Sequence, residues 1–502
     1  MTTAEGTPLE RSARGSLRSA VLGGLAWKIA SIVVKQGSRV VAAVIIARLL
    51  TPVEYGLAAL VLVFSSLVFI FSDLALGAAL IQRRSITERD RSTVFWVSIA
   101  AGTVFTAVGI ALAAPIAAFY GEPDVEALVM VMSVTFLIVS LGSTQEALLV
   151  RDMSWRTLEL RQMAAAICGA AAGIAIAVGG GGPWAVIGQQ VVILAVATAL
   201  VWAVSSWRPR AVFSRASLRD LGTFGGDVFG SRFLLYLNRN ADNLLIGRVL
   251  GPAALGAYSI AYNVILLPFS QVAGPIEQLL YPAFSRLQDD RERLATAFLR
   301  VNRLVAAITV PCLLGLAVVA PDFVPVVLGE QWRPAIPVVQ VLIVVGVLQS
   351  LQALNATVLQ ARDRSRWLLR YSIVFTAVTL VAFVAGLPFG VVGVAAGLAI
   401  ASAFLEPLYA VITARALGIS VWRLARNLWG VAQASALMLA AVAAARLGAE
   451  ELGAGPGLRL LAALAAGAAV YPPLLLWRAP DVRADLMALA RRRRGTEPAD
   501  AA

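Results

Sequence analysis

The segment Ala47-Arg48-Leu49-Leu50-Thr51-Pro52-Val53-Glu54-Tyr55-Gly56 has a near copy 200 residues later, Gly247-Arg248-Val249-Leu250-Gly251-Pro252-Ala253-Ala254-Leu255-Gly256. Arg, Leu, Pro and Gly recur in register, and each copy follows a long apolar stretch. The same offset pairs Arg39 with Arg239. A second match, between segments that begin at Val150 and Ala361, is displaced by 211 residues. These matches predict an internal repeat that spans most of the chain.

The composition indicates a membrane protein. Of the 502 residues, 59% are hydrophobic and 14% are charged, and the mean hydropathy is +0.80. A soluble protein of this size is rarely so apolar. The first apolar stretch is too long and too charged for a signal peptide, so we expect it to remain as the first span.

Several kinds of chemistry are disfavoured by the residues themselves. The chain has no histidine, which removes imidazole acid/base catalysis and histidine metal ligands. Cys168 and Cys312 both lie in apolar spans, which argues against a disulfide framework or a thiolate metal site. We therefore expect no cofactor and no metal.

The apolar stretches predict an all-α polytopic membrane protein with about fourteen transmembrane helices, at roughly 20 residues for each span. The predicted spans lie near residues 22–49, 55–80, 93–119, 125–148, 160–180, 184–206, 221–249, 254–281, 301–320, 337–360, 367–387, 391–414, 425–446 and 457–477. Six spans repeated in one orientation make two lobes in a pseudo-twofold repeat, followed by two extra helices. Transport sites in such architectures lie between the lobes.

The predicted domains follow from this count. They are an N-terminal lobe (1–215), a C-terminal lobe (216–420), an accessory helix pair (421–480) and a cytoplasmic basic tail (481–502).

The positive charge follows the predicted loops. Of 42 basic residues, 32 fall in segments that become cytoplasmic if both termini are inside, and the net charge is +13. This distribution obeys the positive-inside rule at every loop, so it reflects topology and argues against nucleic-acid binding. The run Arg491–Arg494 follows a short amphipathic stretch from Asp481, and we interpret it as a segment attracted to anionic headgroups, with a regulatory partner as the alternative.

The first span carries three cations on one face. Lys28 and Lys35 are the only lysines of the chain, and Arg39 follows one turn after Lys35. At about 100° per residue, the three positions fall within roughly 40° of one another. A charge at membrane depth costs a few kcal/mol and persists mainly beside a watery cavity or an anionic partner. Lys35 and Arg39 are predicted to line a cavity, whereas Lys28 is close enough to the inner boundary for snorkelling.

The seventh span is also unusually polar. It carries Asp227, Arg232, Tyr236, Asn238, Arg239, Asn240, Asp242 and Asn243. Arg232, Arg239 and Asn243 lie within roughly 40° of one another on a helix. One interpretation pairs Arg239 with Asp242 or Asn243 as a structural contact. The other places Arg232 and Arg239 across a cavity from the cations of the first span, where an anionic ligand completes the charge balance.

Several segments resemble the Wzx-type oligosaccharide and lipopolysaccharide flippases of the MOP exporter superfamily, in the branch of the colanic acid exporter. The resemblance lies in the turn Ala47–Gly56, in Asp73-Leu74-Ala75-Leu76-Gly77-Ala78-Ala79-Leu80-Ile81-Gln82 and in Arg151-Asp152-Met153-Ser154-Trp155-Arg156. Gly182-Pro183-Trp184-Ala185 with Gln190, and Gly393-Val394-Ala395-Ala396-Gly397, are similar to the sixth and twelfth helices of those proteins.

The resemblance implies a transporter of the bacterial plasma membrane. Such proteins turn over an undecaprenyl-pyrophosphate-linked oligosaccharide from the cytoplasmic to the outer leaflet. The implied partners are this lipid-linked oligosaccharide, membrane lipids and a polysaccharide polymerase machinery, and we expect a monomer.

An anionic pyrophosphate supplies a partner for the cations. We predict that Lys28, Lys35, Arg39, Arg232, Arg239 and Asn243 bind the substrate. The planar fork of arginine suits a pyrophosphate, and lysine adds a mobile point charge. The residues predicted to recognise sugar are Gln145, Tyr258, Tyr262, Asn263, Gln271, Gln349, Gln352 and Asn355. Interhelical hydrogen bonding is the alternative role for each of these residues, and each one alone is a weak indication of sugar binding.

Few acidic residues lie in or near the spans, and some of them are candidates for ion coupling. They are Asp73, Glu146, Asp227, Asp242, Glu277 and Glu406. Asp73 and Asp242 are our choices for coupling to H+ or Na+, against a structural role in ion pairs.

Two other functions remain open. A MATE-type multidrug exporter would more naturally use an acidic cavity for cationic drugs, so the cationic face argues against it. A polysaccharide polymerase or ligase would need a large outer loop with catalytic polar residues. The longest predicted outer loop, near 321–336, is short and rich in proline. We therefore do not expect an enzyme.

Overall fold

A computed structural model describes residues 34–73, 77, 80, 81, 83, 85–215 and 240–493 of the chain. Within these residues every regular element is helical, which confirms the all-α prediction. The helices are α1 (34–49), α2 (Pro52–Asp73), α3 (Glu88–Tyr120), α4 (Asp124–Arg151), α5 (Trp155–Val178), α6 (Trp184–Val204), α7 (240–249), α8 (Gly251–Arg286), α9 (Arg291–Phe323), α10 (Ile336–Leu351), α11 (Asn355–Ala361), α12 (Ser365–Gly386), α13 (Gly390–Leu417), α14 (Val421–Glu451), α15 (Pro456–Arg478) and α16 (Pro480–Arg493).

The membrane class is also confirmed. In the described part of the chain, nine segments are long and apolar enough to cross a membrane. One of them, Ser365–Leu417, is 53 residues long and holds both α12 and α13. The number of fourteen spans stays a prediction.

Local sequence determines where the helices begin. Thr51 caps α2: its backbone N–H donates to a Glu54 carboxylate oxygen at 2.7 Å, while its side chain accepts the Glu54 N–H at 3.3 Å. Pro52 follows at the first helical position, where its missing N–H leaves no donor unsatisfied. Thr87 and Asp90 make the same reciprocal arrangement at the start of α3.

Several helix bounds differ from the sequence prediction, the most at α9, which begins at Arg291 and not near residue 301; two of the differences involve predicted site residues or their partners. The predicted span 337–360 is interrupted at residues 352–354, which separates α10 from α11. An amide N–H of Asn355 donates to the side-chain oxygen of Gln352 at this break. Such polar side chains compete with the helical hydrogen bonds of the backbone. The second difference is that α5 begins at Trp155, five residues before the predicted start at 160.

Contacts divide the chain into two compact units, Met1–Ala253 (unit 1) and Ala254–Ala502 (unit 2). The predicted lobe boundary at 215/216 stays a prediction. In unit 1, α1 packs on α5 and α6 through a core of Ala42, Ile46, Leu50, Ala170, Ala177 and Ala185. Small residues let helix backbones approach closely, so this core fixes which face of α1 is turned towards α5.

Unit 2 has its own cores. Phe284, Leu294, Phe298, Leu354 and Val358 belong to one buried cluster. In a second cluster the rings of Tyr371 and Tyr409 stack with centroids 4.1 Å apart. These contacts hold α12 against α13.

A turn geometry recurs in the two repeats. Met153 and Asp363 are the two non-glycine residues of the described chain with positive φ, at 52° and 55°. Each lies in the short connection before a helix, α5 or α12. The side chain of Arg151 donates to the carbonyl oxygens of Leu80 and Arg83, at 2.7 and 2.6 Å, and Arg362 donates to that of Gln288. The matched arginines therefore tie the turn to an earlier segment in each unit.

Candidate functional site

The predicted site residues are only partly described. Lys28, Arg232 and Arg239 lie outside the described residues. The backbone of Asp73 ends α2, and its side chain is not described. Lys35, Arg39, Asp242 and Asn243 can be placed, and they all belong to unit 1.

The side chain of Lys35 is held by two acceptors from α5. Its Nζ atom lies 2.6 Å from Oε2 of Glu159 and 3.0 Å from Oε1 of Gln162. The side chains of Lys35 and Glu159 are 19% and 16% exposed, so both charges are partly withdrawn from solvent. The acceptors are three residues apart on α5 and therefore share one face of that helix. An ammonium group has three N–H donors, and two of them are used here.

Packing of α1 explains why Lys35 meets α5. Ala42 and Ile46 of the buried core lie about 20° from Lys35 around the helix, at about 100° per residue. The apolar stripe of α1 that faces α5 thus continues into Lys35. The Lys35–Glu159 pair closes one end of a small-residue interface between the two helices.

The Lys35–Glu159 pair lies near one end of α5. Glu159 is four residues after Trp155, the first residue of α5, which places it about 6 Å along the helix axis. The positive-inside count predicts this end to be cytoplasmic. The ammonium therefore lies near the predicted cytoplasmic end of α5.

Arg39 lies one turn after Lys35 and is exposed. Within the part of the chain that the structure describes, its guanidinium makes no ion pair. Lys35 and Arg39 thus differ in state: one cation is neutralised by a carboxylate, and the other is open to its surroundings.

The described polar residues of α7 make a local contact. Asp242 is 7% exposed, and its Oδ1 atom accepts the backbone N–H of Asn243 at 2.8 Å. Asn243 itself is half-buried. Of the predicted helix face formed by Arg232, Arg239 and Asn243, only Asn243 lies within the described residues.

Some of the predicted sugar-binding residues come together in unit 2. Tyr258 and Tyr262 stack with ring centroids 6.0 Å apart. Tyr262 of α8 and Gln349 of α10 line one narrow cleft. Tyr258 is 1% exposed, so it supports Tyr262 instead of offering its own ring to a ligand.

Other predicted sugar-binding residues are buried or undescribed. Gln145 of unit 1 is fully buried, and neither of its amide atoms has a hydrogen-bond partner in the described part of the chain. Asn355 is 1% exposed and contacts Gln352. Asn263 is exposed, and the side chain of Gln271 is outside the description.

Two of the remaining acidic residues can also be placed. The Glu146 carboxylate lies 2.8 Å from the guanidinium of Arg161, whose side chain is only 5% exposed. Glu406 of α13 is buried at 5% exposure.

Glu159 and Gln162 were missed by the sequence prediction. The fifth span was predicted to begin at residue 160, which left Glu159 in the cytoplasmic segment. Because α5 begins at Trp155, Glu159 belongs to the helix. The turn from Arg151 to Trp155 could have located the start of α5 in the sequence, because it marks the helix start more sharply than hydropathy does.

The two repeated turns of the opening segment meet within unit 1. A Cβ atom on Gly56 would collide with the carbonyl oxygen of Pro252. The glycine that recurs in the repeat therefore allows the backbone of one copy to approach that of the other. Close to this turn, the Arg248 guanidinium lies 5.4 Å from the ring centroid of Phe119.

Comparison with known proteins places these features in a family context. Residues 45–337 match the family described as polysaccharide biosynthesis protein. The chain is 30% identical over 423 residues to the lipopolysaccharide biosynthesis protein WzxC of Escherichia coli (strain K12). The aligned region covers 82% of this chain and 85% of WzxC.

Two solved structures share the fold. The lipid II flippase MurJ, in an inward closed conformation, matches with a TM-score of 0.72 at 12% identity, over 93% of this chain and 100% of MurJ. An inward-facing multidrug resistance MATE family transporter of the MOP superfamily matches with a TM-score of 0.61 at 17% identity, over 76% of this chain and 94% of that transporter. Identities this low establish a MOP-type fold and nothing finer.

Proposed function

Because this chain belongs to the polysaccharide biosynthesis protein family, we propose that it is a flippase for an undecaprenyl-pyrophosphate-linked oligosaccharide. It moves this lipid from the cytoplasmic to the outer leaflet by alternating access. The relative WzxC is named as a lipopolysaccharide biosynthesis protein, which supports a lipid-linked precursor as the cargo.

The observation that carries the proposal is the ammonium of Lys35, held 2.6 Å from the Glu159 carboxylate at one end of the apolar core between α1 and α5. Phosphate and carboxylate oxygens accept hydrogen bonds from an ammonium in the same way. A pyrophosphate that reaches Lys35 can therefore replace Glu159. The exposed guanidinium of Arg39, one turn away, adds a second donor group for the same anion.

Exchange of partners suits a transported ligand. Lysine is a flexible point charge, whereas arginine binds a phosphate through a fixed fork. Glu159 neutralises Lys35 when no cargo is present, so the partly buried ammonium keeps an anionic partner in both states. Return of the carboxylate to Lys35 then favours release.

The remaining predicted residues complete the proposed site. Lys28, Arg232, Arg239 and Asn243 contribute further contacts to the pyrophosphate. Asp73 and Asp242 are proposed to couple transport to H+ or Na+. The protein is proposed to work as a monomer in the bacterial plasma membrane, with both termini in the cytoplasm and with polymerase machinery receiving the cargo outside.

The two alternatives are less well supported. The MATE-like fold alone does not favour drug export, because MurJ shares that fold at a higher TM-score. The matching family and the relative WzxC are both named for polysaccharide or lipopolysaccharide biosynthesis. A cationic helix face also suits an anionic lipid better than a cationic drug. We propose a transporter and not an enzyme.

Deletion of the gene in the bacterium that encodes it tests the proposed function. Lipid-linked oligosaccharide should accumulate on the cytoplasmic leaflet, where a membrane-impermeant oxidant of sugar diols added to spheroplasts cannot reach it. An unchanged distribution between leaflets would reject the flippase. Sensitivity to cationic dyes in the same strain distinguishes drug export, which predicts increased dye accumulation.

A further inference from the structure

A groove between α12 and α13 opens at the ends of these helices that the charge count predicts to be cytoplasmic. Its volume is about 300 Å3, and its lining includes Arg370, Tyr371 and Val374 from α12 and Leu408 and Arg415 from α13. The groove lies wholly within unit 2. It is separate from the Lys35 site of unit 1 and is not used by the proposed transport chemistry.

Two arginines stand at the mouth of this groove. Arg370 is five residues after the start of α12, and Arg415 is two residues before the end of α13, so they lie about 8 Å and 3 Å inside the helix ends. Both residues are exposed. With respect to the residues that the structure describes, neither guanidinium has a hydrogen bond or an ion pair. The mouth therefore carries two positive charges that no carboxylate of the described chain neutralises.

Further from the mouth, the groove is apolar. Val374 follows Arg370 by one turn, and Leu408 precedes Arg415 by about two turns. Each of these two side chains is 46% exposed. A cationic mouth followed by an apolar body matches the order of a phospholipid, from its headgroup to its acyl chains.

The floor of the groove is preformed. Tyr371 is 9% exposed, and its ring stacks on Tyr409 at a centroid distance of 4.1 Å and an angle of 12°. At the mouth, the Arg364 guanidinium lies 4.5 Å from the ring centroid of Trp367, another lining residue. Aromatic side chains of this kind are typical of the membrane interface, where one end is apolar and the other is wet.

The opposite end of the same helix pair provides a contrast. A larger groove of about 480 Å3 lies between Ala385, Phe389, Val392 and Ile400, and its lining contains no charged residue. The shape of the helix pair alone therefore does not produce the cationic mouth. The charges are confined to the end that is predicted to face the cytoplasm.

We propose that the groove between α12 and α13 binds one anionic phospholipid of the cytoplasmic leaflet. Its phosphate lies between Arg370 and Arg415, and an acyl chain follows Val374 and Leu408. Arginine forms charge-assisted hydrogen bonds with phosphate, and basic pockets between transmembrane helices bind anionic headgroups. Because both arginines are exposed, their replacement leaves the cores of unit 2 intact.

Native mass spectrometry of the full-length protein in neutral detergent tests this site. The protein is titrated with phosphatidylglycerol or with phosphatidylcholine of the same acyl chains. The wild-type protein should retain phosphatidylglycerol in preference to phosphatidylcholine. The groove variant carries both Arg370→Gln and Arg415→Gln, and the preference should fall by about fivefold for each arginine replaced. The matched control carries Arg366→Gln and Arg293→Gln, which remove two exposed arginines that do not line the groove.

Each outcome is decisive for this site. Loss of the preference in the groove variant with retention in the control supports the proposal. Equal binding of the two lipids by the wild-type protein, or the same loss in both double variants, overturns it. A loss of undecaprenyl pyrophosphate binding in the Arg370 and Arg415 variant, with phosphatidylglycerol binding unchanged, would assign the groove to the cargo and would also overturn it. None of these results depends on flipping, so the proposed function is tested separately.

Discussion

The Nζ atom of Lys35 lies 2.6 Å from the Glu159 carboxylate, although the two residues are 124 positions apart in the chain. Both side chains are less than one-fifth exposed. The carboxylate therefore occupies the same ammonium that an anionic cargo would use, and the two must compete.

Replacement of Glu159 by glutamine should tighten binding of an anionic lipid. The substitution keeps the size of the side chain but removes the charge that competes for Lys35. A partly exposed ion pair contributes about 1 kcal/mol, so we expect the Kd for fluorescent undecaprenyl pyrophosphate to fall by about fivefold. The measurement is an equilibrium titration of the purified protein.

The control for this prediction is Glu146→Gln. Glu146 lies in the same unit and pairs with Arg161 at 2.8 Å, so the change in net charge is identical. Its Kd should stay at the wild-type value. Weaker binding by the Glu159 variant, or equal tightening by both variants, would show that Glu159 does not compete with the ligand.

The close approach of Gly56 to Pro252 predicts that alanine at position 56 destabilises the protein more than alanine at position 37 does. In Gly56→Ala, the new Cβ meets the backbone carbonyl of Pro252, so the turn must shift. Overpacking of this kind costs about 1 to 3 kcal/mol. Among the described residues, no neighbouring atom lies within 4 Å of the ideal Cβ position of Gly37 in α1, and Gly37→Ala should be neutral or stabilising by up to about 1 kcal/mol. Thermal unfolding followed by size-exclusion fluorescence compares the two, and equal losses would contradict the assigned contact.

The attachment of the C-terminal helix α16 should depend more on Asp485 than on Asp481. Asp485 is 13% exposed and accepts from both Arg300 and Arg303 at 2.8 Å. Asp481 is 71% exposed and, among the residues that the structure describes, pairs with Arg303 alone. Charged hydrogen bonds that are partly buried contribute about 1 kcal/mol or more. Asp485→Asn should therefore speed limited proteolysis within α16 by about fivefold, because cleavage follows the population of the detached helix. Asp481→Asn should be cleaved almost as slowly as the wild-type protein, and the reverse order would contradict these contacts.

The fold was largely predictable because it rests on local signals. Long apolar runs located the described helices, and Pro52 after Thr51 marks the start of α2 at the position that proline favours. The interruption between Gln352 and Asn355 was not predicted, since hydropathy does not register a side-chain contact that replaces helical hydrogen bonds. Hydropathy likewise averages over a window and therefore placed the start of α5 five residues late.

Only one residue of the Lys35–Glu159 pair could be predicted from the sequence. A lysine in an apolar span is conspicuous in sequence, so Lys35 could be selected without a structure. Its partner Glu159 could not, because a glutamate near the end of a span resembles an ordinary boundary residue. The contact between them depends on the packing of α1 against α5 through Ala42 and Ala170, which no local pattern encodes.

Transfer of a fluorescent undecaprenyl-pyrophosphate-linked oligosaccharide across proteoliposomes tests the central claim most directly. The wild-type protein should move the lipid faster than protein-free vesicles do. Lys35→Gln and Arg39→Gln should each lower the rate by about tenfold or more, since each removes a charged hydrogen-bond donor worth about 1.5 to 3 kcal/mol. Arg293→Gln, which removes a 74% exposed side chain, should keep the wild-type rate. Wild-type transfer no faster than in protein-free vesicles, or unchanged transfer by the Lys35 and Arg39 variants, would contradict the account.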